Sequence, residues 1–179
     1  MKRRVGRPRK SVVSRGSVIR AALELLESDG FAAVTMRGIA KRLKVDPMAL
    51  YHYFDDRNAV LVAAAAFVYE SLEVPAATGW RQRLRALAIA YVDMAARFGE
   101  LMRYLIANAD AVPEPVQIFN AKFAEALGGL RVRTAARDAF VDLLHGFAMA
   151  APRKGLGATM RAHLVAEIDV LIDGIRAGK

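Results

Sequence analysis

Residues 35–61 read "TMRGIAKRLKVDPMALYHYFDDRNAVL", and Met48, Tyr51, His52 and Tyr53 crowd a short stretch that a core helix would fill with leucine. Their chemistry suits recognition. Met48 and Ala49 offer apolar surface for a thymine methyl, while tyrosine hydroxyls and an imidazole bond phosphates or base edges. Arg37, Lys44 and Arg57 place cations around them, fit for phosphates. Bond-making chemistry has less to stand on. The sequence has no cysteine, and its three histidines, His52, His145 and His163, are isolated from one another. No Gly-rich phosphate loop or nucleophile elbow appears. His163 and Glu167 lie one helical turn apart, but a metal site needs further ligands. No metal, cofactor or catalytic residue is expected, and an enzyme is the weakest reading.

Charge points the same way. The 179 residues carry a net charge of +9, which implies a polyanionic partner. Residues 1–10 alone hold six basic groups and no acid. Within them Gly6-Arg7-Pro8-Arg9 resembles the core of an AT-hook, where an extended arginine-flanked segment lies in a narrow A·T minor groove. The alternative is a solvated tail that adds non-specific phosphate affinity. On the first reading Arg4, Arg7, Arg9 and Lys10 form a minor-groove arm. Apolar residues make up 55% of the chain, enough for a packed core. The longest uncharged run, Asn58 to Tyr69, is 12 residues, short of the roughly 20 that span a bilayer. No signal peptide is apparent, so a cytoplasmic protein without membrane contact is expected.

The elements that must hold these residues are helical throughout, because apolar positions recur at helical spacing and strand alternation is absent. Val18, Ile19, Ala22, Leu23 and Leu26 form one stripe, stopped at Asp29-Gly30. Thr35 caps a second helix with Ile39, Ala40 and Leu43 inward. Asp46 and Pro47 start a third, and Asp55-Asp56 precede a fourth. After a break near Pro75, helices follow from Trp80, from Glu100, from Pro113, over about 131–151 and over 156–177. The fold class is all-α with about nine helices. The second and third form a helix-turn-helix, locked by Leu43, Val45 and Leu50, with Pro47, Met48, Ala49, Tyr51, His52 and Tyr53 left outward. In such a unit the second helix enters the major groove.

The stretch "GFAAVTMRGIAKRLKVDPMALYHYFDDRNAVL" resembles the DNA-binding domain of the TetR family of transcriptional regulators. The resemblance covers about residues 14–65. It implies base contact by Arg37, Met48 and Ala49, with Pro47 and His52 beside them, and backbone contact by Thr35, Lys44, Tyr51, Tyr53 and Arg57. One position departs from the family pattern: the turn usually has glycine where this chain has Lys44, which costs roughly 1 kcal/mol if the backbone there is left-handed. The expected organisation is a basic disordered arm (1–13), a three-helix DNA-binding domain (14–56), a connecting helix (57–73) that is the hinge candidate, and a helical effector-binding and dimerisation domain (74–179). The last two helices are the candidates for a two-fold interface, through Phe140, Leu144, Leu164, Ile168, Leu171 and Ile175. An effector pocket is expected among Trp80, Tyr91, Met94, Phe98, Tyr104, Phe119, Phe123, His145 and Phe147, although an ordinary core explains most of them individually. The reading is a homodimeric, ligand-responsive regulator of palindromic operator DNA, released by an unidentified small hydrophobic effector, with repression the family's usual mode. The alternative is an effector-independent or architectural DNA-binding protein using its basic arm.

Overall fold

The structure, a computed structural model, describes residues 13–76, 79–108 and 113–177, the side chains of 113 and 175–177 excepted. The arm residues Arg4, Arg7, Arg9 and Lys10 lie outside that description, as does the side chain of Ile175. Among the described residues every regular element is helical. There are eight α-helices: α1 (Arg15–Ser28), α2 (Met36–Leu43), α3 (Arg57–Glu70), α4 (Trp80–Arg97), α5 (Gly99–Ala107), α6 (Pro113–Leu127), α7 (Thr134–Ala150) and α8 (Ala158–Ala177). The all-α architecture expected from the pattern of apolar residues is therefore what forms. The helix expected at Asp46 is a correction: it is a single 3-10 turn, Pro47–Ala49. The chain divides into two compact units, Met1–Leu61 and Val62–Lys179, with the boundary inside α3.

In the first unit local chemistry sets each helix end. Ser14 and Ser17 form a capping box at the start of α1: the Ser17 N–H donates to the Ser14 hydroxyl at 3.1 Å, and the Ser14 N–H to the Ser17 hydroxyl at 2.9 Å. Thr35 caps α2 by accepting from the Gly38 N–H at 2.9 Å. The end of α2 is a Schellman motif, with the Val45 N–H on the Ala40 carbonyl at 3.0 Å and the Lys44 N–H on the Lys41 carbonyl at 3.2 Å. Such a motif needs a left-handed residue, and Lys44 supplies it at φ 58°, ψ 46°. Among the described residues no other non-glycine has a positive φ. Asp56 caps α3 through the Ala59 N–H at 2.7 Å. The buried faces are Val18, Ala22 and Leu26 of α1, Ile39 and Ala40 of α2, and Leu50, Phe54, Val60 and Leu61.

The second unit is built on α4, which packs against α5, α6, α7 and α8. Leu84, Leu87, Ala88, Tyr91 and Val92 of α4 are buried at its centre. Ion pairs fix how α4 and α8 run past each other: Arg81 meets Asp173 at 2.8 Å, Arg85 meets Asp169 at 2.6 Å, and Asp93 meets Arg161 at 2.9 Å. Partners step along the two helices in opposite directions, at multiples of four residues, and the half-buried Ile89 and Val165 fall at the missing rung. The charges are reversed at the Asp93 rung, so a slip by one turn leaves Asp93 without its arginine and a slip by two turns sets Arg85 opposite Arg161 or Asp93 opposite Asp169. Each half-exposed pair contributes little stability, about 0–1 kcal/mol; what the ladder adds is register. Asp93 also accepts from the Leu156 N–H at 2.7 Å, which ties down the loop into α8.

Four residues expected at a dimer interface are already buried within the single chain. Phe140, Leu144, Leu164 and Ile168 are 0% exposed within the single chain. Their area is already removed from water, so it is not available to a second copy. They are buried in the core of the chain, and such a core demands the same apolar spacing as a two-fold bundle.

Gly38 shows how tightly the first unit is drawn together. A methyl at its Cα would lie 2.4 Å from the Ala33 carbonyl oxygen and 3.1 Å from the Thr35 hydroxyl. Helix propensity alone would make Gly38→Ala stabilising by about 1 kcal/mol. The clash with backbone is expected to outweigh it and leave the variant destabilised by about 1–2 kcal/mol, read as a lower urea midpoint. A midpoint above that of the parent would mean that α2 does not approach the 31–33 turn this closely.

Candidate nucleic-acid interface

The segment after Lys44 is shaped by hydrogen bonds of short span. The Asp46 carboxylate accepts from the Met48 N–H at 2.8 Å. The Ala49 and Leu50 N–H groups reach the Asp46 and Pro47 carbonyls at 3.0 and 3.1 Å, three residues back. Pro47 brings no N–H, and the Tyr-His-Tyr-Phe run that follows has low helix propensity, so the turn does not lengthen into an α-helix. The chain then turns through Leu50 to Phe54, whose side chains are buried against the unit. Met48 is 68% and Tyr51 46% exposed, and His52 is exposed beside them. Arg37 and Lys44 are exposed as well, Pro47 and Ala49 half-buried. None of Arg37, Met48, Tyr51 and His52 has a side-chain partner among the described residues. This is a short rigid loop with apolar, aromatic and cationic groups turned outward.

Three residues expected at the same surface are engaged within the unit. Arg57 donates through Nε to the Val34 carbonyl and through a terminal nitrogen to the Phe31 carbonyl at 3.1 Å, with its guanidinium 4.5 Å from the Phe31 ring centroid. It ties the start of α3 to the 31–34 turn and is half-buried, with two of its five N–H donors engaged within the unit. The Tyr53 hydroxyl donates to the Val13 carbonyl at 2.8 Å. The Thr35 oxygen is committed to its cap, although its own O–H can still donate outward. Arg15 was not among the expected residues. Its guanidinium donates to the Tyr53 carbonyl at 3.1 Å and lies 4.3 Å over the Phe54 ring. Nothing in the local pattern marks it, because its partners are 38 and 39 positions away.

In the second unit the expected pocket residues separate into groups. Tyr91, Phe119, Phe123 and His145 do come together, joined by Phe140 and by Tyr69 near the end of α3. Ring centroids lie 4.9 Å apart for Tyr91 and Phe119, 5.1 Å for Phe123 and Phe140, and 5.9 Å for Tyr91 with both Tyr69 and His145. Trp80 opens α4 and is about 16 Å along the axis from Tyr91. Phe147 lines a different feature, a groove of about 620 Å³ between α7 and α8 that it shares with Asp142, Leu143, Met160, His163 and Glu167. Met94 and Tyr104 are half-buried and Phe98 is buried, at the end of α4 and on α5.

The cluster contains one polar spot. Tyr69 and Tyr91 hydroxyls lie 3.4 Å apart, and among the described residues the Tyr69 hydroxyl otherwise meets only the Met102 sulfur at 3.9 Å. Burial raises the pKa of both phenols above the ordinary value, so both stay neutral O–H groups. When one phenol donates to the other, the second proton has, among the described residues, only the Met102 sulfur near it. Burial also lowers the pKa of His145, against the opposing pull of the Asp142 carboxylate.

The first unit is a helix-turn-helix of the kind that places a short element against a DNA groove. Residues 18–64 match the family model for bacterial regulatory proteins of the tetR family. The tetracycline repressor protein class G of Vibrio anguillarum is 45% identical over 51 residues, 28% of this chain and 24% of that protein. Residues 18–64 thus form an N-terminal domain of the tetR family. The matches cover from 24% to 57% of the length of the curated relatives. Among solved structures, the Streptomyces coelicolor TetR family protein ActR in complex with actinorhodin aligns with a TM-score of 0.72 at 20% identity, covering 94% of this chain and 99% of that one. BioQ with its double-stranded DNA operator aligns with a TM-score of 0.65 at 22% identity, covering 91% and 98%. At these identities the likeness establishes the fold.

Two measurements test the geometry. A left-handed lysine costs about 1–2 kcal/mol, and glycine gives back part of that through unfolded-state entropy. Lys44→Gly is therefore expected to raise the unfolding free energy by about 0.5–1 kcal/mol in urea titration; a loss of stability would show that the Lys44 side chain stabilises the turn. For His145, a folded-state pKa below the unfolded value near 6.5 means that the unfolded chain binds the extra proton first. Stability is then full above that value and falls as pH drops through it. Between pH 7.5 and 5.5 the urea midpoint of His145→Gln is expected to fall less than that of the parent; equal falls would place the imidazole in water.

Proposed function

We propose that the chain is a transcriptional regulator that binds duplex DNA as a homodimer and responds to a small hydrophobic effector. The outward-facing turn carries this reading. Met48, Ala49 and Arg37 read bases in the major groove, and Lys44, Tyr51 and the Thr35 hydroxyl hold the backbone, with His52 and Pro47 at the edge. A helix-turn-helix supplies such a surface and no other obvious use for it. The likeness to a fold solved with operator DNA in BioQ supports it. Among the described residues no helix is long and apolar enough to cross a membrane.

Dimerisation is assigned to the outer face of α7 and α8 rather than to their buried residues. Leu143, Phe147, Met160 and Leu171 are half-buried on these helices. A two-fold pairing of these helices gives a four-helix bundle and two recognition turns for a palindromic site. The effector is assigned to the Tyr69–Tyr91–His145 side of the aromatic cluster. A flat apolar body suits the rings, and an acceptor oxygen suits the under-bonded phenol pair. Support for coupling comes from α3, in which Arg57 is tied to the 31–34 turn at one end and Tyr69 belongs to the cluster at the other. A ligand that displaces Tyr69 acts on a helix that cannot stretch, with coupling typically of 1–3 kcal/mol. Repression by operator occupancy is the mode this implies.

The test is selection of bound duplexes from random DNA by the full-length protein, followed by anisotropy at physiological salt. A palindrome bound with a Kd of about 10⁻⁸–10⁻¹¹ M is expected, and Arg37→Ala should weaken it by about 1–3 kcal/mol. Selection of no sequence, with uniform salt-sensitive binding, would instead favour an architectural protein; no binding at all would overturn the reading.

A further inference from the structure

Asp93 lies near the end of α4, yet its two carboxylate oxygens hold residues 63 and 68 positions away. Oδ1 accepts from the Leu156 N–H at 2.7 Å, and Oδ2 accepts from the Arg161 guanidinium at 2.9 Å. Leu156 precedes α8 by two residues and its side chain is buried, while Arg161 stands in the first turn of that helix. A cation there opposes the helix dipole, and the carboxylate offsets it. One side chain thus holds both the approach to α8 and its first turn.

Gly155 shows how close that approach is. The 151–157 loop turns on itself, with the Gly155 N–H on the Pro152 carbonyl at 2.8 Å, and passes through Gly155 at φ 87°. A methyl at the Gly155 Cα would lie 2.7 Å from Asp93 Oδ1. Any other residue would be strained in that backbone and would press on the carboxylate. Within the second unit, the loop is fastened to α4 at this point.

The groove between α7 and α8 opens directly beyond the loop. Ala150, the last residue of α7, lines its near end together with Thr159 and Met160 at the start of α8, and Asp142 and Glu167 line its far end. The angle at which α8 leaves the loop therefore sets the width of the groove. A helix pair packs on another pair only where its spacing suits the ridges of both, with axes about 8–10 Å apart. In an isologous interface an error in that spacing enters twice, once from each copy.

We propose that Asp93 is the positioning residue of the dimer surface. It acts through the loop and the first turn of α8, whose placement sets the groove that a second copy covers. The proposal rests on the dimer assignment above.

Full-length parent, Asp93→Asn, Asp93→Ala, Gly155→Ala and the double variant Asp93→Ala with Gly155→Ala test it. The dimer dissociation constant is read by sedimentation equilibrium and helical content by circular dichroism. Asparagine keeps an acceptor oxygen for the Leu156 N–H and loses only the charge, so it is expected to weaken the dimer less than about threefold. Alanine removes both and is expected to weaken it roughly tenfold or more at unchanged helical content. Gly155→Ala is expected to weaken it roughly three- to tenfold in the parent and less than about twofold beside Asp93→Ala, because the carboxylate it presses on is gone. A constant within about twofold of the parent for Asp93→Ala, or equal losses from Gly155→Ala in both backgrounds, would overturn the proposal. Should Asp93→Ala fail to fold, Gly155→Ala decides: unchanged dimerisation overturns the proposal, and weaker dimerisation at unchanged helical content supports it. A parent that stays monomeric at every concentration would overturn the dimer assignment itself, so the two failures are told apart.

Discussion

The left-handed backbone at Lys44 is the constraint on which the recognition surface depends. It ends α2, closes the Schellman motif on Ala40 and Lys41, and reverses the chain so that Asp46 can cap the next turn. Glycine would hold that conformation with less strain. A lysine there places a cation at the tightest point of the turn, within the surface that Arg37 and Met48 share. The chain carries a local cost of about 1–2 kcal/mol at that position, and the rest of the unit must over-determine it. Gly38 against the Ala33 carbonyl and Arg57 on the Val34 and Phe31 carbonyls do so, by clamping α2 and α3 to the same short turn.

The second unit answers a different demand. Its central helix, α4, is surrounded by four others, and each neighbour needs an apolar stripe toward it. Phe140, Leu144, Leu164 and Ile168 are fully buried large residues of α7 and α8. A second apolar stripe on the same two helices, through Leu143, Phe147 and Met160, faces the groove between them. Helices with two apolar faces have few places left for charge. Those charges concentrate at the ladder of Arg81, Arg85 and Asp93 with their α8 partners, where opposite signs fix the register that apolar contacts leave open.

These structures differ in how far they can be seen from sequence. Caps and breaks are local, and the Ser14, Thr35, Asp46 and Gly30 signals each stand within four residues of what they control. The helical core is legible for the same reason, since i, i+3, i+4 spacing is a local property. The 3-10 turn at Pro47–Ala49 was read as a helix because its cap and proline are those of a helix start, while its short length depends on the aromatic run that follows. The roles of Arg57, Tyr53 and Arg15 were out of reach, because each is set by a carbonyl or ring 23 to 40 positions away. The burial of Phe140, Leu144, Leu164 and Ile168 within the chain was out of reach for the same reason: periodicity shows that a face is apolar and does not show which neighbour covers it.

Hydrogen-bonding capacity sorts the recognition segment more sharply than residue type does. Tyr51 and Tyr53 are chemically the same and two positions apart, yet only Tyr53 has its proton engaged inside the unit. Arg37 and Arg57 are likewise the same, but two Arg57 donors are held by backbone carbonyls while Arg37 has no partner among the described residues. A buried or engaged donor cannot serve a ligand without first breaking a bond worth about 1–3 kcal/mol to a charged or shielded partner. Of two like residues, therefore, the one whose donors are still open is the one turned to the partner, and its engaged neighbour holds it there. Tyr51 and Arg37 belong to the first group, Tyr53, Arg15 and Arg57 to the second. The outward groups hold a fixed position because the inward ones are bonded to the backbone of the same unit.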